Sequence, residues 1–281
     1  MGDAIVWWIA IELMGLAAVP VGAVLLRALP DRGYSLSKPL GILLVGWLAY
    51  TLAMLHVLHF DRLTLILCLL ALAAFSTWLL LRNDHTLLND LRAHFSTRSS
   101  WVYAIACEVL FLLAFALWAW IRAHNPSIVD QEKFMDYGFL NAILKTDSFP
   151  PNDMWLAGFS INYYYFGYIL IAGVTALSGV ATAVAFNLAN VTLFALTALG
   201  VFGIVHNLIT ARLLAAGRTA RAEARRAAAA RGSRLDRPRD REAYAPEVPQ
   251  RRREQAIPAS RPPQSRRQSS ASATTPISGL P

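Results

Sequence analysis

Five apolar runs, each long enough to match the thickness of a bilayer, leave this chain few folds to choose from. A helix needs about 20 apolar residues to cross the hydrocarbon core, where its backbone N–H and C=O groups must be satisfied within the segment. Residues 4–26, 39–59, 62–81, 101–121 and 182–210 meet that demand. The 281-residue chain is 56% hydrophobic and only 16% charged, with a mean hydropathy of +0.41, which excludes an ordinary soluble domain. The expected fold is an all-α integral membrane protein with about five transmembrane helices. Trp7 and Trp8 near one end of the first run read as interfacial anchors, as do Trp101, Trp118 and Trp120 around the fourth. Asp3 stands where a secretory leader would be basic, and no small-residue cleavage site follows, so the first span is expected to be retained.

Charge orients the spans. The first loop carries Arg27, Asp31, Arg32 and Lys38; the third, residues 82–100, carries Arg82, Arg92 and Arg98 against Asp84 and Asp90. From Arg122 to Ile161 the count is three basic and five acidic residues. Basic loops stay cytoplasmic, which places loops one and three inside the plasma membrane and the acidic loop 122–161 outside. A sixth run, 162–180, is apolar but carries Asn162 and the tyrosines 163, 164, 165 and 168. If it crossed the membrane, the Arg-rich tail would be exported. An interfacial helix over 162–180 keeps the tail cytoplasmic and suits the tyrosines.

Residues 1–100 therefore read as N-terminal transmembrane helices. Residues 101–211 read as a core with its outer loop, and 212–281 as a basic tail. From Arg212 onward there are sixteen arginines and six acidic residues, a balance of +10, so the whole-chain +8 leaves −2 for the rest. The positive charge belongs to the tail and not to a nucleic-acid-binding domain. The tail is poor in large apolar residues and is expected to be disordered, with the Ala/Arg run at 220–231 extending the last helix by a few turns. Its low complexity also fits a displaced reading frame or a truncated product. Cys68 and Cys107 lie inside apolar runs and read as packing residues. No paired Cys/His spacing and no Gly-rich phosphate loop is present. Nothing in the sequence demands a cofactor, although the acidic loop leaves room for a divalent metal ion.

Between residues 130 and 165 the chain changes character. Asp130, Glu132 and Asp136 fall within seven residues. A helix over 131–145 is predicted, with Phe134, Met135, Gly138, Phe139, Ala142 and Ile143 as its apolar stripe. Glu132 and Asp136, four apart, share a face. Asp130 reads equally as the N-cap of that helix. Pro150 and Pro151 stop the helix and extend the chain. Three consecutive tyrosines on a helix cannot all face lipid, so at least one of them turns to protein or ligand. Glu12 and Glu108 lie within spans, where a carboxylate is a functional candidate by default. His56 and His59 read as structural, since no third ligand accompanies them.

Three stretches, EKFMDYGFLNAI at 132–143, FPPNDMWLAG at 149–158 and INYYYFGY at 161–168, resemble the Chlor_Arch_YYY membrane protein family. The motif that names that family, Tyr-Tyr-Tyr-x-Gly, falls here at Tyr163, Tyr164, Tyr165, Phe166 and Gly167. The resemblance covers about residues 100–210, with Phe134 where a proline is expected. The layout is also similar to GT-C glycosyltransferases, in which a span leads outward into a loop opened by an acidic pair. That likeness implies a polyprenyl-phosphate sugar donor; with the apolar spans and the charge confined to the tail, the expected partners are that donor and membrane lipids, and no nucleic acid. The likeness also implies a catalytic carboxylate near the loop's start, the acidic pair mapping loosely onto Asp130 and Glu132; because Glu132 opens the helix and shares a face with Asp136, the base is expected to be Glu132 first, then Asp130, then Asp136. The adjacent acidic pair itself is absent, Gln131 standing between Asp130 and Glu132. A general base there would deprotonate an acceptor hydroxyl. Arg122 and Lys133 would stabilise the phosphate leaving group, and Tyr163, Tyr164 and Tyr165 would line the donor site. Members of such families are longer, so the chain reads as an N-terminal fragment of a glycosyltransferase. The competing readings are a nonenzymatic membrane scaffold or partner, and a transporter fragment using Glu12 and Glu108.

Overall fold

The computed structural model describes residues 2–146 and 148–235. It divides into two units, residues 1–220 and 221–281. Seven helices and a short 3-10 turn make up the described residues: α1 (Gly2–Leu25), the turn Tyr34–Leu36, α2 (Ser37–Met54), α3 (Arg62–Ser96), α4 (Arg98–His124), α5 (Lys133–Lys145), α6 (Phe166–Ser178) and α7 (Thr182–Leu235). No strand occurs among them beyond an isolated bridge between Asn152 and Ser160. Five helices are long and apolar enough to cross a membrane: α1, α2 with its preceding turn, the Arg62–Arg82 part of α3, α4 and α7. The all-α membrane fold with five spans is what the apolar runs predicted.

Local chemistry sets several boundaries. The Asp61 carboxylate accepts the Thr64 N–H at 2.8 Å and caps α3. Thr97 caps α4 through Ser100. Gly179 ends α6 in the left-handed conformation, its N–H donating to the Thr175 carbonyl at 2.9 Å. The third loop is shorter than expected, because α3 continues as a polar helix to Ser96. The last helix likewise runs through the Ala/Arg stretch to Leu235, since Ala and Arg are strong helix formers. The disorder expected of the rest of the tail, from residue 236, lies outside the described residues.

The packing shows which way each helix runs. Trp7 near the start of α1 donates its indole N–H to Thr192 near the start of α7. Asp31, just after α1, meets Asn207 far along α7. The two helices are therefore parallel, and α7 crosses from the acidic-loop end to the end holding residues 26–36. Between α1 and α2 the backbones nearly touch: a methyl at Gly41 would overlap the Met14 carbonyl. Trp7 is completely buried. It is a core residue and not the expected anchor, because α7 covers it.

Helix α6 does not cross. It has 13 residues, about 20 Å of rise against a core of about 30 Å. Phe166 at its start lies against Tyr50, near the end of α2, with ring centroids 5.8 Å apart. Gly179 at its other end lies beside the guanidinium of Arg62, the first residue of α3. Both ends thus sit at the acidic-loop end of the bundle. The helix begins later than predicted, so the tyrosines at 163, 164 and 165 form the turn before it.

Candidate functional site

The acidic segment returns to the bundle through α5 and a loop anchored by Phe149. Phe149 is buried between Tyr50 and Phe60, with centroids 6.1 and 5.2 Å away, and fixes the Pro150-Pro151 turn on α2 and the α3 entrance. The Phe149–Pro150 peptide is cis. The buried face of α5 is Phe139, Leu140 and Ile143, while Phe134 points outward. The predicted stripe was thus right at its centre and wrong at its start. The α6 tyrosines close over this face, and Phe139 touches Tyr163, Tyr168 and Trp155.

The three candidate carboxylates have different surroundings. Asp136 accepts a hydrogen bond from the Tyr168 hydroxyl, which fixes it. Glu132 is the cap position of α5, yet its side chain makes no capping hydrogen bond and is exposed. Asp130 is exposed and adopts φ 73°, followed by Gln131 at φ 53°. Consecutive left-handed non-glycine residues are strained. The N-cap reading of Asp130 is overturned, because α5 begins at Lys133 and its cap position is Glu132, two residues beyond Asp130. Among the described residues no three His, Cys, Asp or Glu side chains gather as a metal-ligand set, so no step is assigned to a metal.

The tyrosine run splits. Tyr163 and Tyr164 are exposed and lie against each other, with centroids 4.0 Å apart. Tyr165 turns inward, its hydroxyl 3.3 Å from that of Tyr50. The Tyr164 phenol is pushed up to about 12 by the Tyr163 hydroxyl, by desolvation, and by the charges of Tyr163, Glu132 and Asp136. Tyr165 is pushed up to about 12 by burial and by Tyr50. Burial and the Asp136 carboxylate raise Tyr168 as well. All three therefore stay protonated donors at neutral pH. Glu132, Asp136, Tyr163, Tyr164 and Tyr168 form one neighbourhood, while Tyr165 belongs to the packing beneath it. Tyr168 was noticed in sequence only as an interfacial residue. Its i,i+4 relation to Tyr164 was the available signal.

Arg122 ends the fourth span. Its Nε donates to the Asn187 side-chain oxygen at 3.1 Å, a second guanidinium nitrogen donates to the same atom, and Asn187 in turn donates to the Pro126 carbonyl. Among the described residues no carboxylate pairs with this guanidinium. It stands at the rim of an apolar cavity of about 700 Å³ between α1, α4 and α7, lined among others by Trp8, Leu112, Phe115, Trp120, Ile128 and Val184. The indole N–H of Trp8 is buried with no partner among the described residues. On the same helix as Asn187, Thr182 and the adjacent Phe186 contact Tyr137, the neighbour of Asp136. Arg122 and the carboxylate neighbourhood are thus linked through the first turns of α7. Lys133 is half-buried at the start of α5.

The fold and this site define a polytopic helical membrane protein with a polar, aromatic cluster at one end and an apolar cavity between α1, α4 and α7. The chain matches the model of a family described as uncharacterized membrane protein (DUF2298) over residues 44–234, more than half its length, and it belongs to that family. No curated protein and no solved structure matches it.

Proposed function

We propose that the chain is a membrane glycosyltransferase-like protein of GT-C type, or the N-terminal part of one, that takes a sugar from a polyprenyl-phosphate donor at the outer membrane face. The observation that carries this reading is Arg122: a cation with no acidic partner among the described residues, lining an apolar cavity of about 700 Å³. A polyprenyl phosphate has those two parts in that order, a long hydrocarbon and a single anionic head. An arginine held by a neutral Asn keeps donors for phosphate oxygens. In this reading Arg122, together with Lys133 from the start of α5, steadies the phosphate as it leaves. Glu132 is the general base toward an acceptor hydroxyl. Asp136, oriented by Tyr168, holds sugar hydroxyls, and Tyr163 and Tyr164 present aromatic surface to the ring.

The test is binding of a polyprenyl phosphate to the purified chain in nanodiscs, with the matching polyprenol as comparison. The phosphate is expected to bind at least tenfold more tightly, and Arg122→Gln to remove most of that preference, as for a charge-assisted contact of about 1.5–3 kcal/mol. Equal binding of phosphate and alcohol to the unaltered chain would remove the donor from the proposal.

A further inference from the structure

Away from the loop, Glu12, Lys38 and Glu108 meet inside the bundle. Lys38 was expected among the basic residues of a loop, but it lies in the first turn of α2 and is 3% exposed. Its ammonium is 2.6 Å from Glu12 Oε2 and 2.7 Å from Glu108 Oε2. Tyr34 donates to Glu108 Oε1 at 2.9 Å, and the Phe111 ring lies 5.1 Å from the Lys38 nitrogen. That leaves one oxygen over: Glu12 Oε1 is buried and has no hydrogen-bond partner among the described residues. Glu12, Tyr34, Lys38 and Glu108 line a cavity of about 220 Å³ whose other walls include Ile9, Leu13, Leu16 and Val19.

The charges do not balance. Two half-buried carboxylates face one buried ammonium beside a cavity walled largely by hydrocarbon, and within a bilayer an uncompensated charge there is strongly disfavoured. Helices α3, α6 and α7 also pack on α1: within 63–81 the ionisable group is Cys68, within 166–178 it is Tyr168, and within 182–210 it is His206, which stacks on Tyr103 of α4 and not on the carboxylates. On α4 the neighbour of Glu108 is Cys107. A metal cation is a poor candidate for the missing charge, because the Lys38 ammonium already occupies the place between the carboxylates. We propose that this cluster is an intramembrane proton-binding site that holds one proton between Glu12 and Glu108, carried on Glu12 Oε1 and facing the cavity. Loss of the proton breaks only the carboxyl O–H bond: the proton passes to a water entering the cavity, and the carboxylate that remains stays paired with Lys38. This rests on none of the transfer chemistry above.

Infrared spectra of the full chain in liposomes at neutral pH test it through the carbonyl stretch of a protonated carboxyl. Glu12→Gln is expected to remove one such band per chain. Glu108→Gln is expected to remove the same band, because Glu12 then becomes the sole counter-ion of Lys38 and ionises. Lys38→Met is expected to raise the band about twofold, both carboxyls having lost their cation. A wild-type band that survives undiminished in both Gln variants, or a wild type without the band, would overturn the proposal. The Gln variants preserve shape, so they decide the question even if Lys38→Met does not fold.

Discussion

The backbone N–H of Asp31 donates to the side-chain oxygen of Asn207 at 3.0 Å, across 176 positions of sequence. It joins the loop after α1 to the far stretch of α7. The two leave the bundle at one end, opposite the acidic segment. Single cysteines at Ser160 and Thr219, both exposed, are therefore expected to react with impermeant thiol reagents from opposite sides of the membrane. From the charge pattern, Ser160 is the position expected to react from outside. Cys68 and Cys107 are buried and should give little background. Labelling of both positions from the same face would show that α7 does not cross once.

Asp31 also accepts from the Ser35 hydroxyl at 2.6 Å, from the Gly33 and Ser35 N–H groups, and from the Tyr103 hydroxyl at 3.1 Å. Burial pushes its carboxyl up, but the Ser35 hydroxyl, the Gly33 and Ser35 amides and Asn207 together hold it below 3.8, its ordinary value. A lowered folded value means stability that is complete above pH 3.8 and lost as pH falls further toward the folded value. Asp31→Asn should cost about 1.5–3 kcal/mol at neutral pH, the scale of a hydrogen bond to a charged group. The acid-side decline in thermal stability should shrink with it. An unchanged acid profile in Asp31→Asn would assign the decline to another group.

Gly41 faces backbone on α1, with the Met14 carbonyl and the Gly15 nitrogen both in the way of a β-carbon. Gly41→Ala must push α1 and α2 apart and should cost about 1–3 kcal/mol by overpacking. Gly217, on α7, has no atoms in the way. Gly217→Ala should be neutral or stabilising by up to about 1 kcal/mol, the helix-propensity difference. Thermal unfolding in detergent compares them, and equal midpoints would mean that the α1–α2 contact is looser than described.

The carboxylates can be ranked by activity. Under the proposed mechanism, Glu132→Gln should lower sugar transfer about 10²–10⁴-fold, as expected for removal of a general base, with donor binding kept. Asp136→Asn and Tyr168→Phe should act through the same contact and show a smaller, shared loss. If Asp136→Asn alone gives the large loss, the base is Asp136.

Asp130→Gly serves a different purpose. Glycine accepts the left-handed backbone at this position, so the variant should gain about 1 kcal/mol in thermal stability by relieving strain. A gain without loss of transfer would remove Asp130 from the mechanism; a gain with loss of transfer would keep it there.

The five spans were legible because length and apolarity suffice to identify a crossing helix, and charge parity then demanded that the 162–180 run stay at one surface. The pairing of Lys38 with Glu12 and Glu108 was not legible. Its partners lie 26 and 70 residues away, and nothing local separates a lysine that opens a buried helix from one in a basic loop. Of the site, Arg122 and the carboxylates stood out as polar residues next to a span. The Tyr168–Asp136 bond and the apolar cavity did not, because each is made by elements that meet only in the folded chain.

The cavity beside Arg122 lies between α1, α4 and α7, and Ile5, Leu112, Trp120 and Val184 along it remain exposed on the outside of the bundle. In a bilayer that outside is hydrocarbon, so the cavity is open sideways. A molecule can enter it without passing through water. Its supply is then set by its mole fraction in one leaflet and by lateral diffusion in two dimensions, and diluting the protein into more lipid should weaken occupancy even when the aqueous volume stays the same.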